Sequence, residues 1–348
     1  MATEPATEFS LDASAAWERE AERERAVGLG PWRLALRRLR RNKVALAFGA
    51  LFLVIVAVCL AAPVWANVAD TGPNDNHLLD TITVSGEQKD VVSPDGVPLG
   101  PQWFSAGGKY VLGADSNGKD IMVRLLYGGR TSLLIGVSAA LFTAFFSVLV
   151  ALFAGYFRGW VDSVITRILD VIWAFPVVLL GVALGTALSL GGLDLGPIEL
   201  SGRSRLVPIS IIAFVYIPYM GRPLRGQVLA LREREFVEAA RAQGASSLRI
   251  MFSEILPNLS STIVVFLPLM IANAILLEAA LSFLGAGVQR PDASWGNMIQ
   301  EGVNRILTGP HLTIVPGAML VLTVLALNVF GDGVRDALDP RSKVRLEH

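Results

Sequence analysis

Six stretches of this chain run without one Asp, Glu, Lys or Arg: Val44–Ala69, Thr131–Phe157, Val171–Leu193, Leu206–Gly221, Ile255–Leu277 and Ile306–Gly331. A helix needs about 20 apolar residues to cross roughly 30 Å of hydrocarbon. Five of the runs have that length. Leu206–Gly221 is shorter and holds Pro208 and Pro218, so it predicts a span with disrupted ends, and Leu281–Gly287 extends the fifth span past Glu278. The pattern predicts an all-α integral membrane protein with six transmembrane helices.

The polar intervals differ in kind. Residues 1–30 mix both charge signs ("WEREAERERAV", Trp17–Val27) and end at Gly28-Leu29-Gly30-Pro31, which fits a short charged helix or a tail. The interval from Ala69 to Gly108 is rich in Gly, Pro, Asp and Asn ("SPDGVPLGP", Ser93–Pro101). Such turn chemistry predicts loops and short strands rather than a packed domain. A third interval, "EAARAQGASSLRIMFSEILPN" (Glu238–Asn258), has helical spacing. Leu248, Met251, Phe252, Ile255 and Leu259 fall at i, i+3, i+4, i+7 and i+11, one stripe of a helix. Upstream, Leu231–Gln243 is rich in helix formers, and Gly244 suits a left-handed end for that helix. Ser246 or Ser247 can cap the next helix, and Pro257 is expected to interrupt it before the fifth span. The interval reads as two short helices at an angle.

Composition agrees with a membrane protein. Apolar residues make up 53% and charged residues 17% of the 348, against about 25% charged in soluble domains. Net charge is zero, but the distribution is not even. With the N-terminus inside, the inner segments 1–43, 158–170, 222–254 and 332–348 carry 21 of the 30 Lys+Arg, and the outer segments carry 9. The positive-inside rule therefore places both termini in the cytoplasm. "RRLRRNK" (Arg37–Lys43), directly before the first span, anchors that orientation rather than nucleic acid. Cys59 is the single cysteine and permits no internal disulfide.

Catalytic chemistry is sparse. "GADSNGKD" (Gly113–Asp120) spells most of a phosphate-binding G-x-x-x-x-G-K loop, but Asp120 stands where Ser or Thr would coordinate Mg²⁺ and would repel phosphates. The charge distribution also puts the motif outside. The alternative is a turn leading into a membrane-surface helix. His77 and His311 have no partner cluster for a metal, and no nucleophile–base spacing appears, so no catalytic residue is assigned. Several ionisable span residues or an inverted repeat would indicate a stand-alone secondary transporter; neither is seen.

The amphipathic stripe of the third interval alone fits two readings, a helix on lipid headgroups and a docking element. The residues favour the second. "EAA", three residues, Gly, nine residues and "EILP" resemble the EAA loop of ABC-importer permeases. "LGADSNGKDIMVRLLYGGRTSLLIGV" (Leu112–Val137), "ILDVIWAFP" (Ile168–Pro176), "REREFVEAARAQGAS" (Arg232–Ser246), "LLEAALSFLGAG" (Leu276–Gly287), "SWGNMI" (Ser294–Ile299) and "GDGVRDALDPR" (Gly331–Arg341) resemble C-type permease subunits of dipeptide/oligopeptide importers, in order, over residues 32–341. The sequence departs at Glu254, where these permeases commonly carry His, and at Ala114, where they carry Thr.

The resemblance implies the type I ABC importer permease fold with an irregular extracytoplasmic insert between the first two spans. It divides the chain into an N-terminal tail (1–43), a first span (44–64), an extracytoplasmic segment (65–130), a five-helix permease domain (131–334) with its coupling loop at 222–260, a C-terminal tail (335–345) and a tag remnant (346–348). It implies that Glu238, Ala239, Ala240, Arg241, Gly244, Ala245, Leu248, Met251 and Phe252 contact a cytoplasmic ATPase. The implied partners are a second permease, two ATPase subunits and an extracytoplasmic substrate-binding protein. The chain itself holds no cofactor; ATP and Mg²⁺ belong to the ATPases. Peptides are the implied cargo, with nickel chelates, glutathione and oligosaccharides as alternatives. Glu278, an acid well inside a span, has two readings: a carboxylate of the translocation pathway, or an inter-span hydrogen bond near the outer gate.

Overall fold

The computed structural model of the chain describes residues 31–191, 193–194 and 199–338. The tail 1–30 and the C-terminal residues from 339, including 346–348, lie outside the described residues. Helix α1 (Pro31–Arg41) starts on a proline, carries its arginines toward its end and stops at Asn42. The Asn42 side chain accepts from the Ala45 amide at 3.0 Å and so caps α2 (Lys43–Leu60), the first long apolar helix. The uncharged run does not continue as one helix to Ala69. It breaks at Ala61 and resumes as α3 (Ala62–Ala69), because Pro63 gives no N–H to the helical ladder.

The segment between the first two spans then forms a hairpin, β1 (Thr81–Val84) paired antiparallel with β2 (Glu87–Asp90). Ser85 and Gly86 make its two-residue turn with φ of 53° and 89°, the geometry that matches strand twist. Val91, Val92, Tyr110 and Ala114 bury one another beside it in a small cluster. The chain enters α4 (Ile121–Phe157) directly from the "GADSNGKD" turn. This corrects the expected surface helix: α4 is a single 37-residue helix that starts ten residues before the predicted span.

The third predicted span is not one helix. α5 (Gly159–Ala174) and α6 (Val177–Gly191) meet at 91°. Phe175 is extended (φ −91°, ψ 139°), as expected for the residue before Pro176. Residues Leu193–Asp194 and Glu199–Leu200 pair as two-residue strands, β3 and β4. The fourth span is the reverse case. α7 (Leu206–Arg232) continues through Gly221 with Pro218 and Pro223 inside it, so its C-terminal end is helical rather than disrupted. A short α8 (Glu235–Ala242) follows, then α9 (Ser247–Phe283), α10 (Trp295–Val303) and α11 (His311–Leu338). Among the described residues, five helices are long and apolar enough to span, and the bent pair α5–α6 supplies the sixth candidate.

Helix α4 is the centre of packing. Its glycines admit neighbours where a Cβ would not fit. At Gly155 a Cβ would lie 2.7 Å from the Val228 side chain of α7, and at Gly136 it would meet Ile275 of α9. One buried cluster joins α4, α7 and α9, and a second joins α2, α4, α10 and α11 around Trp295. Enlarging one of these contacts costs typically 1–3 kcal/mol by overpacking. Gly155→Val is therefore expected to lower the melting temperature of the detergent-solubilised protein, while Gly226→Val, where a Cβ would meet nothing within 4 Å, leaves it nearly unchanged.

Candidate functional site

The turn between α8 and α9 is built from its hydrogen bonds outward. α8 begins with Glu235 and Glu238 in its first turn, where carboxylates favour the positive end of the helix dipole. It ends on a complete Schellman pair. The Gly244 amide donates to the Arg241 carbonyl at 2.9 Å, and the Ala245 amide donates to the Ala240 carbonyl at 3.0 Å. That pair satisfies carbonyls the helix leaves open and needs a left-handed residue between them. Gly244 supplies it, with φ +77°, and nothing lies within 4 Å of where its Cβ would be. The glycine is thus required by backbone conformation and not by crowding. Ser246 then caps α9, its hydroxyl accepting from the Arg249 amide at 3.4 Å.

The second helix is not a separate short one. From Ser247 the chain runs into the fifth span without a break, and a π-helical turn at Ile250–Ile255 leads into Pro257. Pro257 was expected to interrupt the helix. The wide turn instead moves the preceding carbonyls out of the α register, so the ring is accommodated at the next α turn. The Asn258 side chain donates to the Glu254 carbonyl at 2.7 Å beside it. The same turn splits the predicted apolar stripe. Met251, Ile255 and Leu259 are fully buried, whereas Leu248 and Phe252 are 57% and 42% exposed.

The named residues therefore divide. Glu238, Ala239, Arg241, Gly244, Leu248 and Phe252 face outward, and Ala240 and Ala245 are half-buried against the core. Met251 is enclosed and anchors the turn, so it presents nothing to a partner. Two residues escaped the sequence reading. Val237, wholly buried, plugs α8 into the core, and Phe236 beside it is exposed. α8 and the end of α7 that precedes it are both tied to the end of α4. The Arg241 and Arg232 guanidinium carbons lie 5.6 and 5.8 Å from the Tyr156 ring, Arg232 donates to the Tyr156 carbonyl at 2.6 Å, and Arg158 pairs with Glu233 at 2.8 Å. An outward face on a firmly held helix can transmit force.

The "GADSNGKD" turn has its anion already. The Asp115 carboxylate accepts from the Asn117 and Lys119 amides at 2.8 and 2.9 Å, the N–H groups a phosphate would need. Asp120 caps α4, accepting from the Met122 and Val123 amides, and also accepts from Tyr110. Burial, then the Arg124 cation, lowers the pKa of Lys119. His77 sits between Asp80 and Thr71 at 2.7 and 2.9 Å.

Glu278 has no exposed surface. Its Oε1 accepts from the Ser282 hydroxyl at 2.7 Å, and Ser132 and Ser294 also face it. Ser132 in turn accepts from the Trp295 amide at 3.2 Å. The carboxyl lies at the junction of α4, α9 and the start of α10.

Residues 147–344 match the family described as binding-protein-dependent transport system inner membrane component. Residues 30–80 match the N-terminal TM domain of oligopeptide transport permease C. The chain is 34% identical over 317 residues to the dipeptide transport system permease protein DppC of Alkalihalophilus pseudofirmus, covering 91% of this chain and 92% of that one. It is 35% identical over 313 residues to the glutathione transport system permease protein GsiD of Pectobacterium atrosepticum (90% and 92% covered), and 38% identical to GsiD of Salmonella typhimurium (90% and 91%). Among solved structures, an inward-facing MetNI methionine ABC transporter aligns with a TM-score of 0.48 at 18% identity, covering 62% of this chain and 97% of that chain.

In the "GADSNGKD" turn the Asn117 and Lys119 amides are already occupied by Asp115, which argues against a phosphate there. Lys119→Ala is expected to leave ATP hydrolysis by the assembled transporter unchanged, measured as phosphate release. Asp115→Ala strips two amides of their acceptor and should destabilise the chain by about 1–3 kcal/mol, read as a lower melting temperature.

Proposed function

This chain belongs to the family of binding-protein-dependent transport system inner membrane components, as a C-type permease subunit of an ABC importer, and we propose that it carries di- or oligopeptides inward and couples to its ATPase through α8 and the Gly244 turn. Support for the cargo comes from the names of its relatives. One is a dipeptide permease and others are glutathione permeases, and glutathione is itself a small peptide. Glutathione is the second reading; nothing favours nickel chelates or oligosaccharides. Family membership argues against a self-contained secondary transporter.

The observation that carries the coupling proposal is the contrast across α8. Val237 on one side is locked into the core, while Glu238, Ala239 and Arg241 on the other are exposed. In this reading a second permease completes the pathway, two cytoplasmic ATPase subunits bind ATP and Mg²⁺, and an extracytoplasmic binding protein delivers the peptide. This chain performs no hydrolysis. Reversing a two-state equilibrium from 1:99 to 99:1 takes about 5.5 kcal/mol of differential binding, so the docking helix has to be held firmly through both states. Met251, Val237 and the Tyr156 contacts provide that hold. Both termini are cytoplasmic in this scheme, and the hairpin segment faces outside.

Two measurements test it. A left-handed backbone costs a residue with a Cβ roughly 1–2 kcal/mol, and Asn tolerates it best. Gly244→Val should leave membrane insertion normal and abolish peptide-stimulated ATP hydrolysis, with Gly244→Asn intermediate and Glu238→Lys weakening ATPase binding. Equal activity in all three would place α8 on lipid headgroups instead. For orientation, Asp95→Cys in a Cys59→Ala background should react with a membrane-impermeant thiol reagent on intact cells; labelling only after lysis would reverse the topology.

A further inference from the structure

Glu278 is enclosed, which leaves open where a solute passes. The helix that carries it also carries a second, quieter face. On α9, Thr262, Leu269, Asn273, Leu276 and Ala280 fall within about a 60° arc at 100° per residue, and each is partly or well exposed. Glu278, five residues beyond Asn273, lies about 140° round the same helix.

Two cavities open along that face. The outer one, ≈ 370 Å³, is shared by Asn273, Leu276 and Ala280 of α9 with Tyr216 and Tyr219 of α7. The inner one, ≈ 840 Å³, is shared by Thr262 and Leu269 of α9 with Gln227 of α7 and Asn328 of α11. They lie on one antiparallel seam. The Tyr216 hydroxyl donates to the Asn273 carbonyl at 3.3 Å, and Gln227 and Thr262 share the inner cavity eleven residues further along each helix. At 1.5 Å per residue the two levels are roughly 16 Å apart, more than half the hydrocarbon thickness of about 30 Å.

The lining is unusual for a lipid-facing surface. Asn273, Thr262, Gln227 and Asn328 are polar, and the Asn328 Oδ1 is buried without a hydrogen-bond partner. At membrane depth polar groups are costly unless they face protein or a water-filled cavity. Charge enters only at the cytoplasmic mouth, with Asp332 and Arg335.

We propose that the α7–α9 groove from Tyr216 and Asn273 to Gln227 and Thr262 is this chain's wall of the solute pathway, and that Asn273 meets the cargo there. Between its mouths the lining is apolar and aromatic with interspersed amides at Asn273, Gln227 and Asn328, which suits a solute whose amide groups seek hydrogen bonds and whose end charges cancel. This deepens the peptide-importer reading and rests on it. Glu278, enclosed on another side of α9, does not line this groove.

Single cysteines at the groove, Asn273→Cys and Thr262→Cys, are made in the Cys59→Ala background of the whole transporter in membrane vesicles. Leu53→Cys on α2, at a position 66% exposed, is the reference. A charged, water-soluble methanethiosulfonate is added and modification is read by mass. Because polar surface at this depth is wet only along a pathway, both groove positions should react about tenfold faster than Leu53→Cys, and modification at position 273 should slow peptide uptake. Rates equal to that reference at both positions, whether lipid or the partner permease covers the face, overturn the proposal. The mass readout needs no transport. A complex that labels as expected but takes up no peptide would refute the cargo and leave the groove standing.

Discussion

Hydrocarbon offers no partner for a backbone N–H or C=O, so a chain inside it must satisfy every one of these groups by itself. That constraint makes the departures from helix the informative positions in this protein. The chain leaves the helix at Ala61, at Phe175-Pro176, at Gly244 and between Phe283 and Ser294. These and other helix ends are closed locally: the Ala61 amide donates to the Ala57 carbonyl at 2.9 Å and the Phe175 amide to the Ile172 carbonyl at 3.4 Å. Asn42 and Asp120 cap helices with side-chain oxygens, Gly244 closes a Schellman pair, and Ser294 with Asn297 forms a reciprocal capping box. Where a break would have fallen in the path of force, at Pro257, a π turn keeps the helix continuous instead.

The consequence for function is mechanical. α9 begins at the exposed turn and runs for 37 residues to the opposite side of the molecule, so a displacement at Ser246 enters one continuous helix. Arg241 of α8 and Arg232 at the end of α7 both meet Tyr156 at the end of α4, and α4 in turn packs against α7 and α9 at glycines that leave no slack. The exposed face of α8, the seam between α7 and α9 and the buried Glu278 junction are therefore parts of one connected body. The Glu278 cluster ties helix α10 to that body through Ser132 and Trp295.

Much of this was legible in the sequence, for a physical reason. Exclusion of charge from hydrocarbon writes the spans directly into composition, and a glycine flanked by helix formers writes the turn. Other features leave no such mark. The 91° bend at Pro176 lies inside an uncharged run, where apolarity hides it, although the proline was visible. Pro208 and Pro218 misled in the other direction, because both are buried and tertiary packing holds α7 helical through them. The burial of Met251 and the exposure of Phe252 depend on a π turn that has no pattern of its own. Glu278 drew attention as a charge in a span, whereas the neutral Asn273 five residues earlier did not, and only the packing shows which of them faces open space.

The central claim is that the outward face of α8 is a protein contact. The direct measurement places a photoactivatable cross-linker at Ala239, an exposed position on that face, in the assembled transporter. On irradiation the account predicts a covalent adduct to the ATPase subunit, identified by mass spectrometry. Adducts to lipid alone, with the ATPase present and bound, would contradict it.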